Sequence, residues 1–383
     1  MPAACFFAFA TSVQASHLAG ADLQYTHVSG STYKITVVLY GDCGPASAGA
    51  FSTLPSATPR VCIYNGSTLV TTLVLSVDTP SAGVEVTYPL AAGVTTQCTD
   101  PSSTRRGIKK FTYSANYTVP SASSTWRFIF NGNHGSASSG RAAANTNVSS
   151  STTIQLIDTL DNTTYNNSSP AMNVTSPTYY CKDVVNTFYP TATDPDGDSL
   201  SFSLVDATNG TGSCGTVGGP VAYSSGFSAW PGQPVSGATP LQVAAGTFSV
   251  NAFTGAMSFL ANSIQRAVAV YNLREYRSGV LVGTSQREMT VLVLTCAATT
   301  GVAQASEPRI ELYPNPVTGE LTISHPGGTY NSFVIVNALG AKMLDKQLQS
   351  ANTTTNVSAL PAGIYFITLS GESGTKTLKF IKQ

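Results

Sequence analysis

Asp194, Asp196 and Asp198 occupy alternate positions of the run Asp194-Pro195-Asp196-Gly197-Asp198-Ser199-Leu200, the constellation in this chain with the clearest chemistry. Alternate aspartates in a turn place carboxylate oxygens on one side, and a hard cation such as calcium takes roughly six to eight oxygens. The run is not an EF-hand, because the loop glycine would fall at Ser199 and the closing glutamate at Val205. Further oxygens must come from backbone carbonyls, from Asp206, or from Glu275 carried in by the fold. Calcium is thus the expected cofactor, with Asp194, Asp196, Asp198 and Glu275 as its candidate ligands. The plainer alternative is a surface turn, since Asp-Pro and Asp-Gly are themselves turn dipeptides.

Other chemistry is sparse. His17, His27, His134 and His325 are scattered, and no G-x-S-x-G elbow, H-E-x-x-H helix, phosphate-binding glycine loop or dinucleotide fingerprint occurs. Ser47 has Pro45 where an elbow needs glycine. No catalytic residue is assigned, and a noncatalytic protein is expected. Trp126, Trp230, Tyr223 and Phe227 offer a second class of function, a sugar-stacking platform, with Trp230 presented by a loop over 226–234. Trp126 lies inside an apolar strand and is expected in a core.

The composition bounds the partners. In 383 residues, nineteen basic and nineteen acidic side chains cancel, and charged residues make up 10% against the roughly 25% usual for globular chains. Nucleic acid is excluded as a partner, because nothing supplies the concentrated positive field that neutralising phosphates requires. With 42% hydrophobic residues the chain fills real cores. No stretch approaches the ~18 uninterrupted apolar residues of a spanning helix. Residues 1–15 read as a secretory signal, with an apolar run from Cys5 to Ala10 and small residues at Val13-Gln14-Ala15 before Ser16. No basic residue precedes the run, so a true start upstream of Met1 is expected. Removing Cys5 leaves Cys43, Cys62, Cys98, Cys181, Cys214 and Cys296 as disulfide candidates, in one of 15 connectivities.

The elements that must position these residues are strands. Leu23, Tyr25 and His27, then Tyr33, Ile35, Val37 and Leu39, alternate around Ser29-Gly30-Ser31, and a second hairpin turns at Asn65-Gly66. Further strands are expected over 69–77, 110–119, 125–130, 153–160, 201–205, 246–260 with a fold at 251–255, 267–276 and 286–294. Residues 131–151, small and polar, read as a long loop. The fold class is all-β, tandem β-sandwiches: one over 16–170, a second over 179–296, a linker over 297–308 and a last domain over 309–383. The Pro-, Ser- and Asn-punctuated stretch 162–178 marks the first boundary, which leaves three cysteines on each side.

The last domain carries the most specific pattern: Tyr313-Pro314-Asn315-Pro316, then Leu321-Thr322-Ile323, Phe333 to Asn337, Leu360-Pro361-Ala362-Gly363-Ile364-Tyr365, and a close on Lys376, Lys379 and Lys382. In order and spacing this resembles the type A C-terminal sorting domain of proteins exported by the type IX secretion system of Bacteroidetes. The resemblance implies an immunoglobulin-like fold, with Tyr313, Pro314, Asn315, Pro316, Gly363, Tyr365, Lys376, Lys379 and Lys382 belonging to the sorting signal. It also implies partners: the type IX machinery, a sortase-like protease that removes the domain, and a lipopolysaccharide anchor unless the product is released. The destination would be the cell surface or the extracellular space, by way of the periplasm.

The remainder is similar to gliding- and adhesion-associated surface proteins of the same bacteria. The likeness rests on Ser16-His17-Leu18-Ala19-Gly20-Ala21-Asp22-Leu23 with Tyr25, Tyr33 and Asp42-Cys43-Gly44. Their cadherin-like and immunoglobulin-like repeats are matched by the aspartate run, by Phe253-Thr254-Gly255, and by Glu275-Tyr276-Arg277-Ser278-Gly279. Adhesion or envelope structure is the role this implies. A carbohydrate-binding module is the alternative, and a cryptic hydrolase a more distant one.

Overall fold

The computed structural model describes residues 18–44, 53–78, 83–87, 95–103, 106–132, 140–141, 145–148, 152–172, 178–190, 192–229, 239–296, 310–325, 330–337, 341–348, 350, 352–371 and 374–383. The expected signal over 1–15, Trp230 and the 297–308 linker lie outside them. Regular structure among the described residues is strand, apart from one 3-10 turn at Leu54–Ser56. The chain divides into two compact units, Met1–Cys296 and Ala297–Gln383.

The first unit begins with β1 (Leu18–Ser29), β2 (Thr32–Asp42), β3 (Arg60–Asn65), β4 (Thr68–Val74), β5 (Ser76–Val77), β6 (Val84–Glu85), β7 (Ile108–Thr118), β8 (Trp126–Phe130) and β9 (Ile154–Leu160). Gly30 takes a φ of +54° in the β1–β2 turn and Gly66 a φ of +61° in the β3–β4 turn, the left-handed geometry that tight hairpins need and glycine adopts without strain. The expected single strand over 69–77 is two: β4 pairs with β3 and β5 with β7, so the chain crosses between the two ends of one sheet at the fully buried Leu75. Alternation sends Leu23, Tyr25, Tyr33, Ile35, Val37 and Tyr113 inward against Val61, Ile63, Trp126, Phe128 and Leu156.

The second half contributes β10 (Ala171–Met172), β11 (Thr178–Cys181), β12 (Val185–Phe188), β13 (Ala192–Thr193), β14 (Ser199–Val205), β15 (Thr208–Asn209), β16 (Ser249–Val250), β17 (Met257–Leu260), β18 (Gln265–Arg277) and β19 (Val280–Leu294). The sheet formed by β12, β17 and β16 faces β14, β18 and β19. Phe188, Phe202, Phe259, Tyr271, Met289 and Val291 fill the space between them. Two cores therefore exist, and the all-β sandwich reading holds.

The expected boundary over 162–178 does not separate two units. One edge of β19 pairs with β18 along its length, and the other pairs in succession with β9, β1 and β11. The strand order β4-β3-β8-β9-β19-β1-β2-β7-β5 is thus one continuous sheet wrapped around the first core. Cys62 bonds to Cys214, fixing the segment around residue 214 over the outer face of β3 and β8, while Cys43–Cys98 and Cys181–Cys296 each stay within one half. The punctuated stretch itself is buried at Asn167, Ser168 and Ser169, which hydrogen-bond into β1. Its polar residues read as linker because their partners are far away in sequence.

Two buried ion pairs lock the seam on opposite faces of β19. Arg287 lies opposite Asp22 in the ladder, with Nε 2.6 Å from Oδ1, and Tyr40 donates to Asp22 Oδ2 at 2.8 Å. Glu288, facing the other way, meets Arg141 in a two-pronged pair at 2.7 and 2.6 Å, and Arg141 also donates to the carbonyls of Thr153 and Thr208. Arg141 belongs to the stretch expected as an open polar loop, yet it is 2% exposed. Removing one partner of such a pair strands a charge in the interior, at a cost of roughly 3–5 kcal/mol. Arg141→Met is therefore expected to lose about that much in a urea titration, and Arg141→Met with Glu288→Leu to regain most of it.

Candidate functional site

The aspartate turn lies between β13 and β14, and its shape comes from Asp194. Asp194 Oδ1 accepts the backbone N–H groups of Asp196 and Asp198, both at 2.9 Å, and Gly197 takes a φ of +79° to close the turn. Antiparallel pairing of β14 with β18 sets Leu200 opposite Glu275 and so carries Glu275 to the turn. Carboxylate oxygens of Asp194, Asp198 and Glu275 lie within 4.8 Å of one another. Asp196, the fourth expected ligand, is outside this group. Its Oδ2 accepts the Ser168 N–H at 2.6 Å and lies 3.4 Å from Arg277.

Sequence reading missed the residues that balance this charge. Arg277, two residues after Glu275 on β18, grips Asp198 with Nε and Nη2 at 2.7 and 2.8 Å and lies over the Tyr165 ring. Asn167 donates to Glu275 Oε2 at 2.5 Å and to Tyr25 Oη at 3.1 Å, while its own oxygen accepts from Arg277. Arg277 was visible beside Glu275, and a cation near four carboxylates is the signal that could have flagged it. Asn167 gave no such signal. Glu275 is fully buried and its Oε1 has no hydrogen-bond partner, nor does Asp194 Oδ2. Burial raises the Glu275 carboxyl to about 8, and the neighbouring aspartates push the same way against the Asn167 hydrogen bond.

A second buried carboxylate lies on the same seam. Where the β9–β19 ladder stops, Asp158 Oδ1 accepts the Gln286 N–H at 2.9 Å, and Gln286 Oε1 accepts the Ile157 N–H at 2.9 Å. Burial holds the Asp158 carboxyl well above the usual carboxylate range.

The other expected sites are placed as follows. Trp126 is fully buried in the first core, and its Nε1 donates to the Ser121 carbonyl. Tyr223 is partly buried and accepts the Ala207 N–H, which makes it part of the packing. No helix among the described residues is long and apolar enough to cross a membrane.

The second unit is a sandwich of β20 (Glu311–Tyr313), β21 (Glu320–Ser324), β22 (Ser332–Asn337), β23 (Lys342–Gln347), β24 (Asn352–Asn356), β25 (Gly363–Gly371) and β26 (Gly374–Lys382). Its sheets run β20-β21-β24 and β23-β22-β25-β26, a three-plus-four division of immunoglobulin-like type. Tyr365, buried near the start of β25, stacks on Phe380 with ring centroids 5.6 Å apart and donates back to the Pro361 carbonyl at 2.9 Å. That back-bond is the corner tyrosine of such sandwiches. The opening motif docks on the final strand: Asn315 Oδ1 accepts the Ile381 N–H and Val317 donates to the Ile381 carbonyl, at 2.9 and 2.8 Å. Lys376 and Lys379 are exposed, whereas Lys382 is buried and donates to the Gln383 carbonyl. Lys382 lies on the same side of β26 as the buried Phe380.

Residues 311–383 match the family described as secretion system C-terminal sorting domain. They are a type IX secretion sorting signal. The sorting domain directs the chain to the type IX machinery and to the cell surface or extracellular space. No curated protein matches the chain. Among solved structures, dimeric latent PorU from Porphyromonas gingivalis is similar at 11% identity and a TM-score of 0.22, over 94% of this chain and 33% of that one. Sidekick-1 immunoglobulin domains 1–5 give 9% and 0.17 over 96% and 59%, and extracellular domains 3–5 of Drosophila OTK give 10% and 0.17 over 94% and 97%. The chain thus spans a third of the PorU chain's length, and at these TM-scores nothing further is drawn from the likenesses.

Two outcomes follow from this geometry. The folded state holds the Asp158 proton more tightly than the unfolded chain, so that group's contribution is full at acid pH and is lost as pH rises through its raised pKa. Asp158→Asn should accordingly lose less stability than the parent between pH 5 and 8 in paired denaturant titrations. Asn315→Ala removes the acceptor for the Ile381 N–H and should destabilise the sorting domain by about 1 kcal/mol. Cell fractionation should then show less of the protein at the surface.

Proposed function

We propose that this is a noncatalytic protein of the bacterial surface or its surroundings, acting in adhesion or envelope structure. The sorting domain carries the reading: the Tyr313-Pro314-Asn315-Pro316 motif and the basic terminal strand, some sixty residues apart, fold into one feature. On this reading the domain is an address. It is removed after export by a sortase-like protease, and the product is attached to lipopolysaccharide or released.

Function then resides in the Met1–Cys296 unit. Three disulfides brace that unit, a build suited to an exposed, oxidising location. Adhesion is supported by this build and by the surface or extracellular destination that the sorting domain gives.

Deleting residues 376–383 removes most of β26 and should trap the protein in the periplasm; normal surface display of the truncated chain would refute the export reading. Deleting the gene should reduce attachment to cells or surfaces. Unchanged attachment, together with glycan-array binding that Trp230→Ala abolishes, would replace adhesion with carbohydrate binding. Turnover in a screen of peptide, ester and glycoside substrates would replace both.

A further inference from the structure

We propose that Asp194, Asp198 and Glu275 form a calcium site whose ligand set differs from the alternate-aspartate series written in the sequence. Oxygens of these three residues lie within 4.8 Å of one another. Two oxygens on opposite sides of one calcium ion, each about 2.4 Å from it, are about 4.8 Å apart, so the three can share an ion.

Two features distinguish the group from an ordinary acidic turn. Glu275 is fully buried, and its Oε1 has no hydrogen-bond partner. A buried carboxylate oxygen without a donor is costly, and a hard cation is the partner that would offset it. Asp194 Oδ2 is likewise buried and unpartnered, although Asp194 Oδ1 is fully used in holding the turn. Glycine at 283, the ladder partner of Glu275, lets the carboxylate lie against the β19 backbone: a Cβ there would be 2.9 Å from Oε1 and collide with Tyr25 Oη.

Charge points the same way. Arg277 pairs with Asp198 and Asp196, and among the described residues no cation pairs with Asp194 or Glu275. Asp198 retains lone pairs for an ion while it accepts from Arg277. Asp196 is engaged by the Ser168 N–H and Arg277 and is no ligand. Three protein carboxylates leave the remaining positions to water or backbone carbonyls, which sets the affinity in the range of about 0.1–1 mM typical of extracellular modules. Such an ion would join β18 to the aspartate turn and, through Asn167, to β1. It does not depend on what the surface unit adheres to.

Both tryptophans lie in the Met1–Cys296 unit, so a thermal melt of the full chain followed by tryptophan emission reports on that unit. With 5 mM calcium chloride against chelator the midpoint should rise by about 2–6 °C. Glu275→Gln keeps the shape and the Asn167 contact region, and should abolish the rise without lowering the midpoint in chelator. Asp196→Asn should keep the rise. No calcium shift in the parent chain, a shift retained in Glu275→Gln, or one lost in Asp196→Asn would each overturn this ligand set. Should Glu275→Gln fail to fold, Asp194→Asn read by calcium titration calorimetry decides in its place, with binding at parental affinity overturning the site.

Discussion

A β-strand has two hydrogen-bonding edges, and the way β19 uses them organises the Met1–Cys296 unit. One edge is given to β18 throughout. The other is divided among β9, β1 and β11. Because the last strand of the unit lies between elements from its beginning and middle, residues 265 apart in sequence pair across it, as Asp22 and Arg287 do. Contacts at such separation are entropically costly to form, and they must be rewarded by burial on both faces of the shared strand.

That requirement explains the polar groups placed at the seam. Arg287 and Glu288, adjacent on β19, point to opposite faces, and each finds its counter-charge on a different element: Asp22 on β1, and Arg141 outside the named strands. Where β19 passes from β9 to β1, Asp158 and Gln286 supply the missing backbone hydrogen bonds. The aspartate turn belongs to the same system, since Asn167, Tyr25 and Arg277 link it to β1 and β18. Buried charge is a poor source of net stability, but it penalises every register except the one in which each pair meets. Specific pairing of this kind suits a strand that must choose among several neighbours.

The sorting domain follows a simpler logic. Its seven strands form two sheets from local hairpins and short crossings, and its core is apolar. The two ends of the motif come together because Asn315 and Val317 satisfy backbone groups of β26. A recognition feature composed of both chain ends of a domain exists only when that domain is folded.

Periodicity and turn chemistry alone determined the all-β class, the hairpins at Gly30 and Gly66, the folded strand pair around Asn251 to Gly255 and the burial of Trp126, and resemblance to a known motif series identified the sorting signal. These are local properties: alternation of side chains over two residues, glycine at positive φ, and a motif with fixed order. The sequence also placed Asp194, Asp198 and Glu275 among the candidate ligands, since residue type names the chemistry. Tertiary structure decided what depends on distant partners. It set the disulfide connectivity, made one unit where a Ser- and Asn-rich stretch read as a boundary, buried Arg141 and Lys382, and separated Asp196 from the other carboxylates by giving it Ser168 and Arg277. A polar residue looks the same in a sequence whether water or a buried counter-charge satisfies it, and only the fold determines which of the two it meets.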